Sequence, residues 1–160
     1  MSQAESIFIT PEHEAIRSSI ARFLAKEVEP HGEAWEEQGF VPREVLRKLG
    51  GLGLLGITYP TEYGGADADP MTSLVFAEAL SRSTFGGFVA TVLVHTDMAS
   101  PHLVHGGTPE QMARYLPRII KGEMISAIAM TEPDVGSDIA HLKSRANRDG
   151  DHWVLNGTKM

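Results

Sequence analysis

The sequence predicts a mainly α protein whose final part changes to short β-strands. Apolar residues recur at three- and four-residue spacing along most of the chain, as in amphipathic helices. Strong helix-start signals stand at Thr10 and Thr108, each followed by proline. Asp149-Gly150 separates two strand-like stretches and predicts a hairpin. We therefore expect a helical domain over residues 1–122 and the beginning of an incomplete β domain over residues 123–160.

Composition limits the classes of function that the chain can serve. The 160 residues are 42% hydrophobic and 22% charged, with a net charge of −7, which is typical of a globular protein. No basic patch is present, so binding to nucleic acid or to an anionic membrane is not expected. The longest apolar stretch, Phe88–Val94, is too short to cross a bilayer, and no membrane span is predicted.

The absence of cysteine and the character of the N-terminus favour a cytoplasmic location. Without cysteine the chain has no disulfide, no thiolate metal ligand and no cysteine nucleophile. Residues 1–6 include an acidic side chain and no apolar core, unlike a secretory signal or an arginine-rich transit peptide.

Five helices are predicted in the first domain, and each has an apolar face. They start at Thr10-Pro11, Pro42, Met71, Phe88 and Thr108-Pro109, and the acidic stretch between Pro30 and Pro42 is interpreted as a connection. The β-branched stretch Phe88–Val104 fits either a strand or a buried helix, and its length favours the helix. The side chains expected to face inward are Ile16, Ile20, Phe23, Leu24, Val28, Val45, Leu46, Leu49, Met71, Leu74, Val75, Ala79, Ala113, Leu116, Ile119 and Ile120.

Two motifs suggest ligand sites that their surroundings disfavour. Gly51–Gly56 has the spelling of a dinucleotide-binding loop, but a helix precedes it and a proline-broken extended stretch follows, so we interpret these glycines as a helix stop with close packing. His95, His102 and His105 lack metal-ligand spacing and are interpreted as interior or pocket-lining histidines. No metal site is predicted, and the acids at 67 and 69 are interpreted as turn residues.

The stretch Ile128–Asp138 is the best candidate for a site. An apolar strand predicted over Met124–Met130 leads to Thr131, after which proline and glycine turn the chain. Free backbone N–H groups near Gly136 and the hydroxyls of Thr131 and Ser137 suit an anion or a flat polar ring. The same residue types also form ordinary surface turns, so both interpretations stay open.

The motifs along this chain resemble those of the acyl-CoA dehydrogenase family. The flavin-binding segment of that family is similar to Ile128–Asp138, continued by Leu142–Ser144, Arg148–Asp151 and Leu155–Lys159. Other matching motifs occur in the same order: Leu52–Gly56, Glu62–Gly65 and Gly107–Gln111. The resemblance implies an N-terminal orthogonal helical bundle followed by the first strands of a truncated β-barrel-like domain.

The resemblance also implies FAD as the cofactor. The backbone of Ile128, Ala129, Met130 and Thr131 would lie beside the isoalloxazine ring, and Thr131 would hydrogen-bond its pyrimidine end. Gly136 and Ser137 would reach the pyrophosphate, and Ser137 would also contact the CoA part of the substrate. Such donors stabilise the negative charge that develops on the flavin when it accepts hydride.

The implied reaction is α,β-dehydrogenation of an acyl-CoA thioester, in which a carboxylate removes the α-proton and hydride passes to FAD. In the family this base is a glutamate beyond the position of Met160, so no catalytic residue is assigned. Glu132, Asp134 and Asp138 are interpreted as acids of a solvated turn. We expect an N-terminal portion that is inactive alone.

Implied partners are an acyl-CoA substrate, electron-transfer flavoprotein or a similar acceptor, and copies of the full-length protein in a dimer or tetramer. The residue types at positions 128–130 are slightly more similar to those of the long-chain branch of the family than to those of the short-chain branch. Two alternatives stay open: a flavin-dependent relative such as an acyl-CoA oxidase or monooxygenase, and a non-catalytic helical binding module.

Overall fold

The computed structural model describes residues 8–160, so the expectation about residues 1–6 lies outside the described part. The chain forms two compact units, the first ending at Ala127 and the second covering Ile128–Met160. The domain boundary after residue 122 stays a prediction.

The first unit is helical. Its helices are α1 (Pro11–Phe23), continued by a π-helical turn over Leu24–Val28; α2 (Gly32–Gln38); α3 (Arg43–Gly51); α4 (Pro70–Leu80); α5 (Gly86–Leu93), continued by a π-helical segment over Val94–Ala99; α6 (Pro101–Gly106); and α7 (Pro109–Ile120).

Side-chain caps explain why three helices begin where they do. The Thr10 hydroxyl accepts the His13 N–H, and His13 Nδ1 accepts the Thr10 N–H in return at 3.1 Å. At α7, Thr108 and Gln111 form the same reciprocal arrangement. Asp69 caps α4 by accepting the Thr72 N–H at 2.9 Å. Each cap satisfies N–H groups that the first helical turn leaves unpaired.

Helices α1, α3, α4 and α5 bury their apolar faces in one core, and α1 packs against α4. The inward faces predicted for α1 and α3 are confirmed. On α4, Leu74 is 61% exposed and Met71 is half-buried, whereas Phe76 and Leu80 are buried. The predicted inward face is confirmed for Val75 and Ala79, which are buried, and wrong for Leu74, because α4 is apolar on nearly every side and periodicity defines no unique face. The prediction for Ala113 was also wrong, since it is exposed on α7.

Helix α2 replaces the connection expected between Pro30 and Pro42. Trp35 of α2 is 9% exposed, and its ring centroid lies 6.3 Å from that of Phe88 in α5. A Cβ at Gly32 would lie 2.1 Å from the Phe85 ring, so only glycine permits this approach. Packing with residues distant in sequence therefore stabilises a helix that apolar periodicity could not reveal, because Trp35 is the one large apolar side chain among its seven residues.

The Gly51–Gly56 region ends α3 and packs closely, as expected. Gly53 adopts a left-handed φ of 75° after the helix. At Gly50 a Cβ would lie 2.4 Å from the Lys121 carbonyl carbon, and at Gly56 it would lie 2.9 Å from the Ile120 side chain. These contacts bring the end of α3 against the end of α7.

The second unit contains an antiparallel hairpin of β1 (Arg145–Asp149) and β2 (His152–Asn156). Its register pairs Arg145 with Asn156 and Asp149 with His152, and Gly150 turns the chain at φ 58°. The predicted hairpin is therefore present. The strand expected over Met124–Met130 was wrong: the stretch is irregular, because it has no partner strand within residues 8–160.

Candidate functional site

The predicted site loop is a tight reversal of the chain. Glu132 and Val135 pair through two backbone hydrogen bonds, of 2.9 and 3.1 Å, with Pro133 and Asp134 between them. Val135 is buried, as is the side chain of Glu132. The turn is thus held from inside while its outer surface faces solvent.

The Glu132 carboxylate is the internal anchor of this unit. It accepts the backbone N–H groups of Lys143 at 2.7 Å and Ser144 at 2.9 Å, and the Lys159 ammonium at 3.0 Å. Lys159 also donates to the Met130 carbonyl at 2.9 Å. One buried carboxylate therefore ties the site loop to the start of the hairpin and to the end of the chain.

These donors keep Glu132 ionised at neutral and mildly acidic pH. The Ser144 hydroxyl beside the carboxylate contributes most to lowering the pKa of Glu132, although the geometry of this contact is outside that of a regular hydrogen bond. The N–H groups of Lys143 and Ser144, and then the Lys159 ammonium, lower the pKa further. Together they lower the pKa of Glu132 to about 2. A carboxylate with so low a pKa is a poor proton acceptor.

The interpretation of the three loop acids as a solvated turn was wrong for Glu132, which is 5% exposed. Asp134 and Asp138 are exposed and do fit it: Asp134 pairs with Lys143 at 2.8 Å, and Asp138 contacts His141 Nδ1 at 2.7 Å. Sequence reasoning missed the anchor because its partners lie 11 to 27 residues away.

The predicted cofactor residues form an accessible surface of the second unit. Ile128 is half-buried, and Ala129, Met130, Thr131, Gly136 and Ser137 are exposed. Within residues 8–160, none of their six backbone N–H groups donates to a protein acceptor. Such a group of unpaired donors is available to a ligand.

The side chains in this surface are equally free of competing contacts. Neither the Thr131 nor the Ser137 hydroxyl has a hydrogen-bond partner in the part of the chain that the structure describes. A Cβ built at Gly136 would meet no atom within 4 Å, and the φ of Gly136 is not in the left-handed region. Folding of this chain therefore does not itself require glycine at position 136.

The three histidines of the first unit do not form a site together. His95 is fully buried, whereas His102 and His105 are exposed, so of the two predicted alternatives, interior or pocket-lining, the interior one holds only for His95. Among the described residues, no group of three His, Asp or Glu side chains is arranged to hold a metal ion.

A half-open cavity of about 350 Å³ lies in the first unit, between α2 and α5. Four of its ten lining residues are aromatic: Trp35, Phe40, Phe85 and Phe88. None of the predicted site residues lines it.

Comparison with known families identifies the fold. The model of the acyl-CoA dehydrogenase N-terminal domain matches residues 10–123, and that of the middle domain matches residues 127–160. The chain belongs to the acyl-CoA dehydrogenase family. The predicted family and the predicted fold class are both confirmed.

Individual relatives agree with this assignment. The mouse (Mus musculus) mitochondrial long-chain specific acyl-CoA dehydrogenase is 40% identical over 151 residues, which cover 93% of this chain and 34% of that protein. Among solved structures, an acyl-CoA dehydrogenase from Geobacillus kaustophilus is 38% identical, with a TM-score of 0.89 over 96% of this chain and 40% of its own. An acyl-CoA dehydrogenase from Bacillus anthracis, solved in complex with FAD, is 40% identical, with a TM-score of 0.87 over 94% of this chain and 26% of its own.

The chain spans about a third of the length of the curated relatives it matches. In residues 8–160 there is no helix of the length and apolarity that a bilayer crossing requires. The cytoplasmic location stays a prediction, since several relatives are named as mitochondrial.

Proposed function

We propose that this chain supplies FAD-binding and acyl-CoA-binding elements of a dehydrogenase that introduces an α,β double bond into acyl-CoA thioesters. The observation that carries the proposal is the group of unpaired backbone donors at Ile128–Thr131, Gly136 and Ser137. Family membership and the FAD complex of a relative support the choice of ligand.

The residues present fit such a cofactor. The irregular stretch Ile128–Thr131 has unpaired backbone N–H groups that can donate to the polar edge of a flat heterocycle, and the Thr131 hydroxyl adds a rotatable donor. Gly136 leaves room for a bulky anion to approach the backbone, and Ser137 can donate to its oxygens. When bound, FAD supplies the hydride acceptor of the reaction.

The anchored loop orients these donors. Glu132 fixes the backbone between Met130 and Val135, so Thr131 is held on one side of the turn and Gly136 follows on the other. Donors fixed before a ligand arrives need little reorganisation when charge develops. Glu132 thus has a structural role, and the α-proton passes to a base outside these residues.

The proposal extends to the acyl group, the electron acceptor and the assembly of the full-length protein. A long-chain acyl group, electron-transfer flavoprotein as the acceptor, and assembly of the full-length protein into a dimer or tetramer agree with the family resemblance. We expect the 160 residues alone to bind FAD without oxidising acyl-CoA. Turnover by the purified chain would contradict this expectation.

A flavin titration tests the proposal. FAD fluorescence should be quenched on binding to the folded chain, and Gly136→Val should weaken binding by about tenfold or more, equivalent to roughly 1.4 kcal/mol, because its side chain would occupy the ligand's space. Gly86→Val is the matched control, since Gly86 is also open on its Cβ side and lies outside the predicted site. A folded wild-type chain that does not quench FAD would overturn the proposal.

A further inference from the structure

The cavity between α2 and α5 combines aromatic side chains with one carboxylate. Phe88 and Trp35 are buried, Phe85 is half-buried and Phe40 is 61% exposed. Of the ten described residues that line the cavity, Glu36 alone is charged. The volume of about 350 Å³ is at the lower end of the range for small-molecule sites, about 300–1,000 Å³. The cavity therefore has the size of a site for a small ligand.

The end of α2 holds Phe40 in place although its ring is largely in water. Gly39 adopts a left-handed φ of 77°, and the backbone N–H groups of Gly39 and Phe40 donate to the Trp35 carbonyl at 2.9 and 3.2 Å. A left-handed residue after the last helical turn reverses the chain and satisfies free carbonyls. Phe40 is thus fixed by its backbone, and its exposed ring is a surface that a ligand can cover.

The Glu36 carboxylate has no partner of its own. Within residues 8–160 it makes neither an ion pair nor a side-chain hydrogen bond. Its Oε1 lies 3.9 Å from the position that a Cβ at Gly87 would occupy, so the carboxylate faces the start of α5. Helix α2 has two further acids, Glu33 and Glu37, and no basic residue. His31, which immediately precedes α2, does not line the cavity.

Aromatic rings beside an unpaired carboxylate favour an organic cation. The face of an aromatic ring is electrically negative and attracts a cation within about 6 Å of its centre. A primary ammonium would lose hydrogen bonds to water on entering such a site. A quaternary ammonium has no N–H group, so its methyl groups can pack against the rings without that loss.

We propose that the cavity between α2 and α5 binds the trimethylammonium group of a small quaternary ammonium compound. The rings of Trp35, Phe40, Phe85 and Phe88 contact the methyl groups, and Glu36 balances the charge. This site does not depend on the proposed flavin site, since none of the predicted cofactor residues lines the cavity.

Two probes of nearly equal shape test the role of charge. Choline carries a trimethylammonium group, and in 3,3-dimethyl-1-butanol a carbon atom replaces the nitrogen. Calorimetric titration of the whole chain at neutral pH should show choline binding about tenfold more tightly than the neutral alcohol. In NMR spectra, choline should shift the indole N–H resonance of Trp35 and leave that of Trp153 unchanged. Equal affinity for the two probes, or no choline binding by the folded chain, would overturn the proposal.

Two matched pairs of substitutions test the location. Glu36→Gln removes the charge that lines the cavity, and Glu37→Gln removes the next acid of α2, which does not line it. Gly87→Leu places a side chain beside Glu36, whereas Gly86→Leu adds the same side chain outside the cavity. Neither glycine has a left-handed φ, and both glutamates are exposed, so the fold tolerates these changes. Circular dichroism checks each variant.

We expect choline affinity to fall about threefold in Glu36→Gln and at least about tenfold in Gly87→Leu, with both control variants unchanged. Phe40→Leu keeps an apolar side chain but removes a ring face, and should weaken choline binding about fivefold. Equal losses in Glu36→Gln and Glu37→Gln would show that net charge attracts the cation and would overturn the site. Unchanged binding by folded Gly87→Leu would overturn it as well.

Discussion

Glu132 shows how one side chain organises the surroundings of the site. Its carboxylate is buried and contacts three donors that belong to the hairpin start and the chain end. Because these contacts require the ionised form, the folded-state pKa of Glu132 is about 2, below its ordinary value of 4.5. The stabilisation is thus complete above about pH 4.5 and is lost as the pH falls toward 2.

The pH dependence of two amide resonances measures this effect. The amide protons of Lys143 and Ser144 should shift together in NMR spectra with an apparent pKa near 2. In Glu132→Gln both shifts should be independent of pH, and both amides should exchange at least about tenfold faster, because a neutral amide is a weaker acceptor. Asp134→Asn removes an exposed acid of the same loop and should leave both amides unchanged. A titration near 4.5 would show that Glu132 is not the anchor.

At the junction of α3 and α7, one of two adjacent glycines has no room for a side chain. Gly50 and Gly51 are adjacent in α3, yet a Cβ at Gly50 would meet the Lys121 backbone at 2.4 Å, whereas one at Gly51 would meet nothing within 4 Å. Gly50→Ala should therefore destabilise the protein by about 1–3 kcal/mol through overpacking. Gly51→Ala should stabilise it by about 0.5 kcal/mol through reduced chain entropy.

Urea denaturation followed by far-ultraviolet circular dichroism distinguishes the two glycines. The midpoint should fall for Gly50→Ala and rise slightly for Gly51→Ala at an unchanged slope. Equal effects of the two substitutions would contradict the close approach of α3 and α7.

The helices show which features could be predicted from sequence. The starts of α1 and α7 are encoded by capping residues within four positions, and the hairpin by a local turn, so all three were predictable. Helix α2 was not, because Trp35 is buried by residues some 50 positions later. The site loop was located by its residues and by family resemblance, but its anchor depends on long-range contacts that periodicity does not encode.

At the scale of the whole molecule, the two units differ in how much they bury. The first has an extensive core with several side chains at 0% exposure: Ile20, Val28, Leu49, Leu80, Val92 and Leu116. In the second, every residue of both hairpin strands is exposed. An isolated two-stranded hairpin is only marginally stable in water.

Amide hydrogen exchange should therefore be uneven along the chain. We expect the amides of α1 and α5 to be protected at least about a hundredfold more than those of β1 and β2, because little apolar burial opposes opening of the hairpin. Comparable protection in Arg145–Asn156 and Pro11–Phe23 would contradict this distribution of stability.

The burial contrast also gives the protein an optical readout for each unit. Of its two tryptophans, Trp35 is 9% exposed and belongs to the helical unit, and Trp153 is 65% exposed on the hairpin. An indole in an apolar interior emits at shorter wavelength than one in water, so the two emission bands are separable in principle. Trp153→Phe would leave an emission that reports only the helical core, and Trp35→Phe one that reports only the hairpin.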